Sequence, residues 1–179
     1  MEKSTQLVEV AVEEGVATLL LNDPAKLNAL SIPMAKALTA ALEQAGRDPA
    51  VRAVVLRGAQ GKFCAGGDVT SMKKRVEAYR AGREPETDTR DNMWTLNQVV
   101  LAIRNLSKPV IAWIEGAAAG GGMSLALACD FALAEEDAKM VFAFSGVALA
   151  PDMGASVMAP PRLGPARAPD LFMTGRRFT

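Results

Sequence analysis

Two glycine-rich segments hold the residues best suited to chemistry. The first is Phe63-Cys64-Ala65-Gly66-Gly67-Asp68-Val69. The second is Gly116-Ala117-Ala118-Ala119-Gly120-Gly121-Gly122, running into Met123-Ser124-Leu125-Ala126-Leu127-Ala128-Cys129-Asp130. A glycine turn that opens a helix aims several free N–H groups outward at the positive end of the helix dipole. The second segment therefore suits a bound anion or a developing oxyanion, or equally a helix that must press against a neighbouring backbone. It is no phosphate loop, because no Gly-Lys-Ser/Thr follows and the GxGxxG spacing is absent. Two such segments, each after a strand, can place one amide apiece on a shared oxygen, which is what an oxyanion hole requires. Asp68, just past the first glycines, reads either as a catalytic acid or as the cap of its own loop or of the following helix.

The remaining side chains narrow the field. The 179 residues contain no histidine, which excludes Ser-His-Asp and Cys-His nucleophiles and every histidine-based metal site. Gly122-Met123-Ser124-Leu125-Ala126 looks like a degenerate nucleophile elbow, but without a histidine Ser124 reads as a packing or helix-terminus hydroxyl. Cys64 and Cys129 lie far apart with no CxxC pair, so neither a zinc knuckle nor a redox dithiol is indicated, and no metal site is expected. Twenty Lys+Arg against twenty Asp+Glu leave zero formal charge, which argues against nucleic acid or an anionic membrane as partner of the whole chain. Only 5% of residues are aromatic, too few for a base-stacking surface. Half are apolar, enough for a sizeable core and a single domain spanning 1–179. The apolar run from Val110 to Cys129 is interrupted by Glu115 and four glycines, so it is no membrane span. The N-terminal residues have neither a signal-peptide core nor an Arg-rich transit pattern, and a cytoplasmic location is expected.

The elements that must position these segments follow from periodicity. Two apolar runs, Leu7–Val12 and Val16–Leu21, split by Glu13-Glu14-Gly15, predict a β-hairpin. Ser31 before Ile32-Pro33 predicts a helix N-cap, with Met34, Leu38, Ala41, Leu42 and Ala45 on one face and an end near Gly46. Val51–Leu56 reads as a buried strand, Met93–Leu106 as a helix and Val110–Ile114 as a strand. A tight glycine turn and a helix follow, then short strands at Phe131–Ala134 and Met140–Phe144. Residues 72–91 are crowded with charge and read as a solvated helix and loop, long enough for a mobile flap. Beyond Pro151-Asp152-Met153-Gly154 the chain is helical, although Pro160 and Pro169 stand where helix formers are expected. Alternating strands and helices argue an α/β fold.

Asn28-Ala29-Leu30, the Phe63–Asp68 segment and the Gly116–Asp130 segment together resemble the enoyl-CoA hydratase/isomerase (crotonase) family, in order and spacing over essentially the whole chain. The resemblance implies a spiral of ββα units whose C-terminal helical part is missing here, since members typically continue beyond Thr179. It implies an acyl-CoA thioester as substrate, coenzyme A being part of that substrate and no separate cofactor, and a homo-oligomer, trimer or hexamer. Carried to matching positions, the oxyanion donors are the N–H groups of Gly67 and Gly121. Lys26, Leu27, Ala29, Ala65, Gly66, Asp68, Val69 and Gly120 line the substrate path. The two glutamates of the hydratases correspond to Ser124 and Gly146, so plain hydration is disfavoured. Asp152 resembles the aspartate of the isomerase branch, a single base that moves a double bond from the 3- to the 2-position or isomerises a related ring acyl-CoA. A hydratase, or a non-catalytic acyl-CoA-binding or assembly protein, is the alternative.

Overall fold

The computed structural model describes residues 6–84 and 88–178. Strands β1 (Val8–Glu13) and β2 (Val16–Leu21) form the predicted antiparallel hairpin, closed by Glu14 and Gly15 at φ 49° and 83°. Positive φ at both turn residues matches the twist of paired strands. From β2 onward the pairing is parallel: β3 (Ala53–Gly58), β4 (Val110–Ile114) and a later strand, Phe131–Ala134, complete a five-stranded sheet. Alternate residues on one face (Leu19, Leu21, Val54, Leu56, Val110 and Ile114) are buried in a continuous core. That core includes the apolar sides of helices α1 (Ile32–Arg47) and α3 (Thr89–Arg104), which pack on each other. Ser31 caps α1 as expected, its hydroxyl accepting from the Met34 N–H.

Each parallel strand leads into a short second-layer piece and then a helix. After β2, Leu30 bridges to Gly67 before α1. After β3, Cys64 bridges to Ala118 before α2 (Val69–Arg80) and α3. After β4 comes β5 (Ala117–Ala119), then α4 (Gly121–Ala128). After β6 (Phe131–Ala134) comes β7 (Lys139–Val141), which pairs with β5, then α5 (Ala155–Leu163) and α6 (Arg167–Thr174). This recurrence is the expected ββα spiral. Its consequence for function is geometric: the junctions between second-layer pieces and helices stack on one another, because the layers themselves pair.

Several expectations change in detail. The strand expected at Val51–Leu56 lies at Ala53–Gly58, because the Val51 N–H closes a turn on the Asp48 carbonyl. Helix α1 does end near Gly46, at Arg47, and a Cβ at Gly46 would meet Leu106. The Ala117–Ala119 strand falls where a turn was expected, and the strand at Met140–Phe144 is confined to Lys139–Val141. Phe142 leaves the sheet to pack edge-on against Phe172. Pro169 sits in the first turn of α6, where its missing N–H costs nothing, whereas Pro160 and Pro161 are both interior to α5. The charged stretch 72–91 begins as the solvated helix α2, and residues 85–87 of the expected flap lie outside the described residues. No helix among the described residues is long and apolar enough to cross a membrane.

Candidate active site

Three junctions of the spiral meet. The first starts at Asn28, fully buried although polar, with Leu27 and Asn28 both left-handed at φ 54°. The Asn28 side chain accepts from the Asp23 N–H at 3.0 Å and donates to the carbonyls of Ala59 and Lys62. An asparagine tolerates this backbone region better than most residues, and its amide satisfies buried groups on two loops at once. The Leu27–Leu30 segment is thereby held against the first glycine loop: Ala65 N–H donates to Leu27 O at 3.1 Å and Leu30 N–H to Gly66 O at 2.7 Å. Beyond the loop, Asp68 caps α2 through the Ser71 N–H and pairs with Lys26, whose Nζ lies 3.1 Å away. Burial raises the Asp68 carboxyl, but Lys26 and Ser71 outweigh it and hold the group below the ordinary carboxylate value. Of the two readings of Asp68, the capping one describes this carboxylate. It is engaged in structure and ill suited to proton transfer.

The second junction is the turn into α4. Gly120, at φ 47° and ψ −115°, makes the turn, and its N–H donates to Val141 O at 3.0 Å. Gly122 is where the packing reading of the glycines applies, since a Cβ there would run into the Cys64 carbonyl. Gly121 differs, with side chains nearest to it: the Cβ it lacks would lie 3.2 Å from Leu30 Cδ1 and 3.3 Å from Met153 Sδ. Gly66 abuts the same spot, its own absent Cβ lying 3.3 Å from the Gly121 nitrogen. The two glycine segments are therefore in contact at Gly121 and at Gly66, the residue next to Gly67. As the first residue of α4, Gly121 has no intrahelical acceptor for its N–H, and the half-buried Gly67 donates to no acceptor among the described residues. The Met72 side chain of α2 lies over Gly67.

The third junction brings Asp152. Met153 and Gly154 are left-handed in succession, at φ 50° and 76°, which turns the chain sharply into α5 just after Asp152. Ser124, fully buried in the first turn of α4, donates its hydroxyl to the Asp152 carbonyl at 3.1 Å. That bond ties the third junction to the second and gives Ser124 a structural task. The Asp152 carboxyl is half-buried, faces no cation among the described residues, and is pushed above the ordinary carboxylate value by burial. A carboxylate so raised is a better proton acceptor than a solvated one. Both thiols, by contrast, are pushed up to about 12 by burial and are inert.

Among the other positions expected to line a substrate path, Ala29 and Gly120 are buried in the junctions and Ala65 is half-buried. Leu27 and Val69 stand exposed at the rim, 46% and 65% accessible. Gly146 lies in a 3-10 turn with open space around it. Sequence reasoning missed the buried Asn28 amide as the organiser of the first loop, although its place beside Leu27 in a turn is a recognisable signal. It also missed Met72 and Met153 as the side chains against Gly67 and Gly121. Two shallow surface clefts run along α1 and α3 past Thr39, Glu43 and Gln98, away from these junctions.

Comparison with known proteins accords with this arrangement. The family model described as Enoyl-CoA hydratase/isomerase matches residues 11–179. The chain is 38% identical over 94% of its length to a 1,2-epoxyphenylacetyl-CoA isomerase of Escherichia coli, spanning 62% of that protein. It is 34% identical over 92% of its length to a trans-2-decenoyl-[acyl-carrier-protein] isomerase of Streptococcus mutans, spanning 60% of it. A crystal structure of an enoyl-CoA hydratase from Polaromonas sp. JS666 superposes with a TM-score of 0.87 at 35% identity, covering 96% of this chain and 65% of that one. The chain thus spans somewhat under two-thirds of the length of these relatives.

Proposed function

This chain belongs to the enoyl-CoA hydratase/isomerase family, and from that premise we propose that it moves the double bond of a 3-enoyl thioester to the 2-position. The N–H groups of Gly67 and Gly121 hold the thioester oxygen. The Asp152 carboxylate takes a proton from C2, the electron pair of that C–H bond passes into a dienolate, and the same carboxyl returns the proton to C4. Negative charge develops on the thioester oxygen in the transition state, and each donor of this kind contributes roughly 3–4 kcal/mol. One base suffices because the proton leaves and returns on the same molecule. Lys26, Leu27, Ala29, Ala65, Gly66, Asp68, Val69 and Gly120 line the path of the thioester carrier, with the Lys26–Asp68 pair at its rim. The carrier is coenzyme A in the name of one relative and a carrier protein in that of another, and both present the same acyl thioester.

The observation that supports this reading is the pairing of a raised, cation-free carboxylate at Asp152 with the contact between Gly66 and Gly121. A hydratase reading is favoured by the name of the structural neighbour, but it needs a second carboxylate where this chain has Ser124 and Gly146. Ultraviolet assay of double-bond migration in a 3-enoyl-CoA tests the proposal. Asp152→Asn is expected to lower kcat by about 10³-fold with the melting temperature unchanged. In the parent, kcat/KM falls as pH drops through the pKa of Asp152, and that acid limb lies above the ordinary carboxylate value. Full activity in the variant, or hydration without migration in the parent, overturns the assignment.

A further inference from the structure

We propose that α2 is a docking face for a small acidic carrier protein that presents the acyl group on a phosphopantetheine thioester. This rests on the acyl-thioester reading above and specifies who delivers the substrate. The helix stands apart: none of its residues is buried, and it packs against no other helix or strand beyond sparse contacts among the described residues. A twelve-residue helix without tertiary packing is marginal in water. Yet this one carries an apolar stripe at helical spacing, Val69, Met72, Val76 and Tyr79, of which Val69, Val76 and Tyr79 are 65%, 48% and 58% exposed. Cations edge the stripe, Lys73 and Arg80 on one side and Arg75 on the other, with Lys74 behind; the one acid, Glu77, lies 3.9 Å from Lys73. The complement of such a face is a surface with an apolar strip bordered by carboxylates.

Its position supplies the rest. The helix starts at the Asp68 cap, one residue past Gly67, and Met72 lies on that glycine. A carrier seated on α2 therefore has its thioester arm beside the site rim. A bilayer is the poorer occupant, because membrane-surface helices bury Trp, Phe or Leu, and this stripe has none of them. A second copy of this chain, with zero net charge, offers no general reason to seek a basic helix.

The test separates docking from catalysis. Binding of a bacterial holo acyl carrier protein without an acyl group is followed by fluorescence anisotropy. Vesicles of phosphatidylglycerol and phosphatidylcholine serve as the second probe, and turnover of a 3-enoyl-CoA is measured alongside. The carrier is expected to bind, to weaken as salt rises, and to lose about tenfold in affinity to the triple variant Lys73→Glu, Arg75→Glu, Arg80→Glu, with CoA-ester turnover kept within about twofold. Amide-shift mapping on the parent protein, which needs no variant, is expected to place the contact on residues 69–80. No binding, equal binding by the triple variant, shifts confined elsewhere, or binding to vesicles alone overturns the proposal. Carrier binding without turnover of any thioester leaves the docking face standing and overturns the isomerase reading instead.

Discussion

Helices α2 and α4 both begin within two residues of a glycine of the candidate site, yet they are opposites. All eight residues of α4 are buried and its sequence, Gly-Gly-Met-Ser-Leu-Ala-Leu-Ala, is apolar all round. None of the twelve residues of α2 is buried, and four of them are cations. A helix apolar on every side must lie in a core, whereas a charged one with a narrow stripe sits at a surface. The means of attachment differ in the same way. Helix α4 has no side-chain cap and is placed by close backbone approach, Gly122 against Cys64. Helix α2 is held at its first turn by the Asp68 cap and the Lys26 ion pair. One half of the site is set by packing that tolerates no added atom, the other by polar contacts that leave the rest of the helix unconfined.

That contrast can be broken from the rigid side first. Gly122→Ala puts a methyl group into the Cys64 carbonyl and forces α4 to shift, so urea denaturation is expected to show a loss of about 3 kcal/mol or more. An unchanged midpoint would mean that close approach does not set the helix. Asn28→Ala comes next: it leaves the carbonyls of Ala59 and Lys62 without their donor, and the same measurement should register about 2 kcal/mol. Asp68→Asn keeps a competent cap but removes the charge, and a loss of under about 1 kcal/mol is expected at neutral pH. Because the Asp68 carboxyl is held low in the folded protein, its contribution is present above the ordinary carboxylate range and lost as pH falls through the depressed value. The difference between parent and variant should therefore vanish in acid. Smallest of all is Val76→Ser with Tyr79→Ser, expected to move stability by no more than about 0.5 kcal/mol, because both side chains are already half in water. A large loss there would show that the stripe packs on this chain after all.

The sequence made the larger elements legible because they follow a period: the hairpin split at Glu14-Gly15, the Ser31 cap, and the apolar face of α1 all appear where the residues place them. Strand β5 escaped because three alanines have no alternation to read, and their pairing with β7 is a property of the spiral. The aromatic run at Phe142–Phe144 looked like a strand, but burial of Phe142 against Phe172 came from tertiary packing. At the site, the two glycine segments were legible as candidates, and their contact at Gly66 and Gly121 was not, since it spans 55 residues of chain. The same holds for Lys26 with Asp68 and Ser124 with Asp152, pairs that share no local pattern. Asp68 offered two readings on sequence, and only the neighbouring ammonium separates them.

The main sheet runs β1-β2-β3-β4-β6, so each strand joins the edge left by an earlier one and never has to enter between two that are already paired. A ribosome delivers residues in that same direction. The nascent chain can add one coil at a time, with the hairpin as its first template. Each newly emerged strand then covers an edge that would otherwise invite association with another chain.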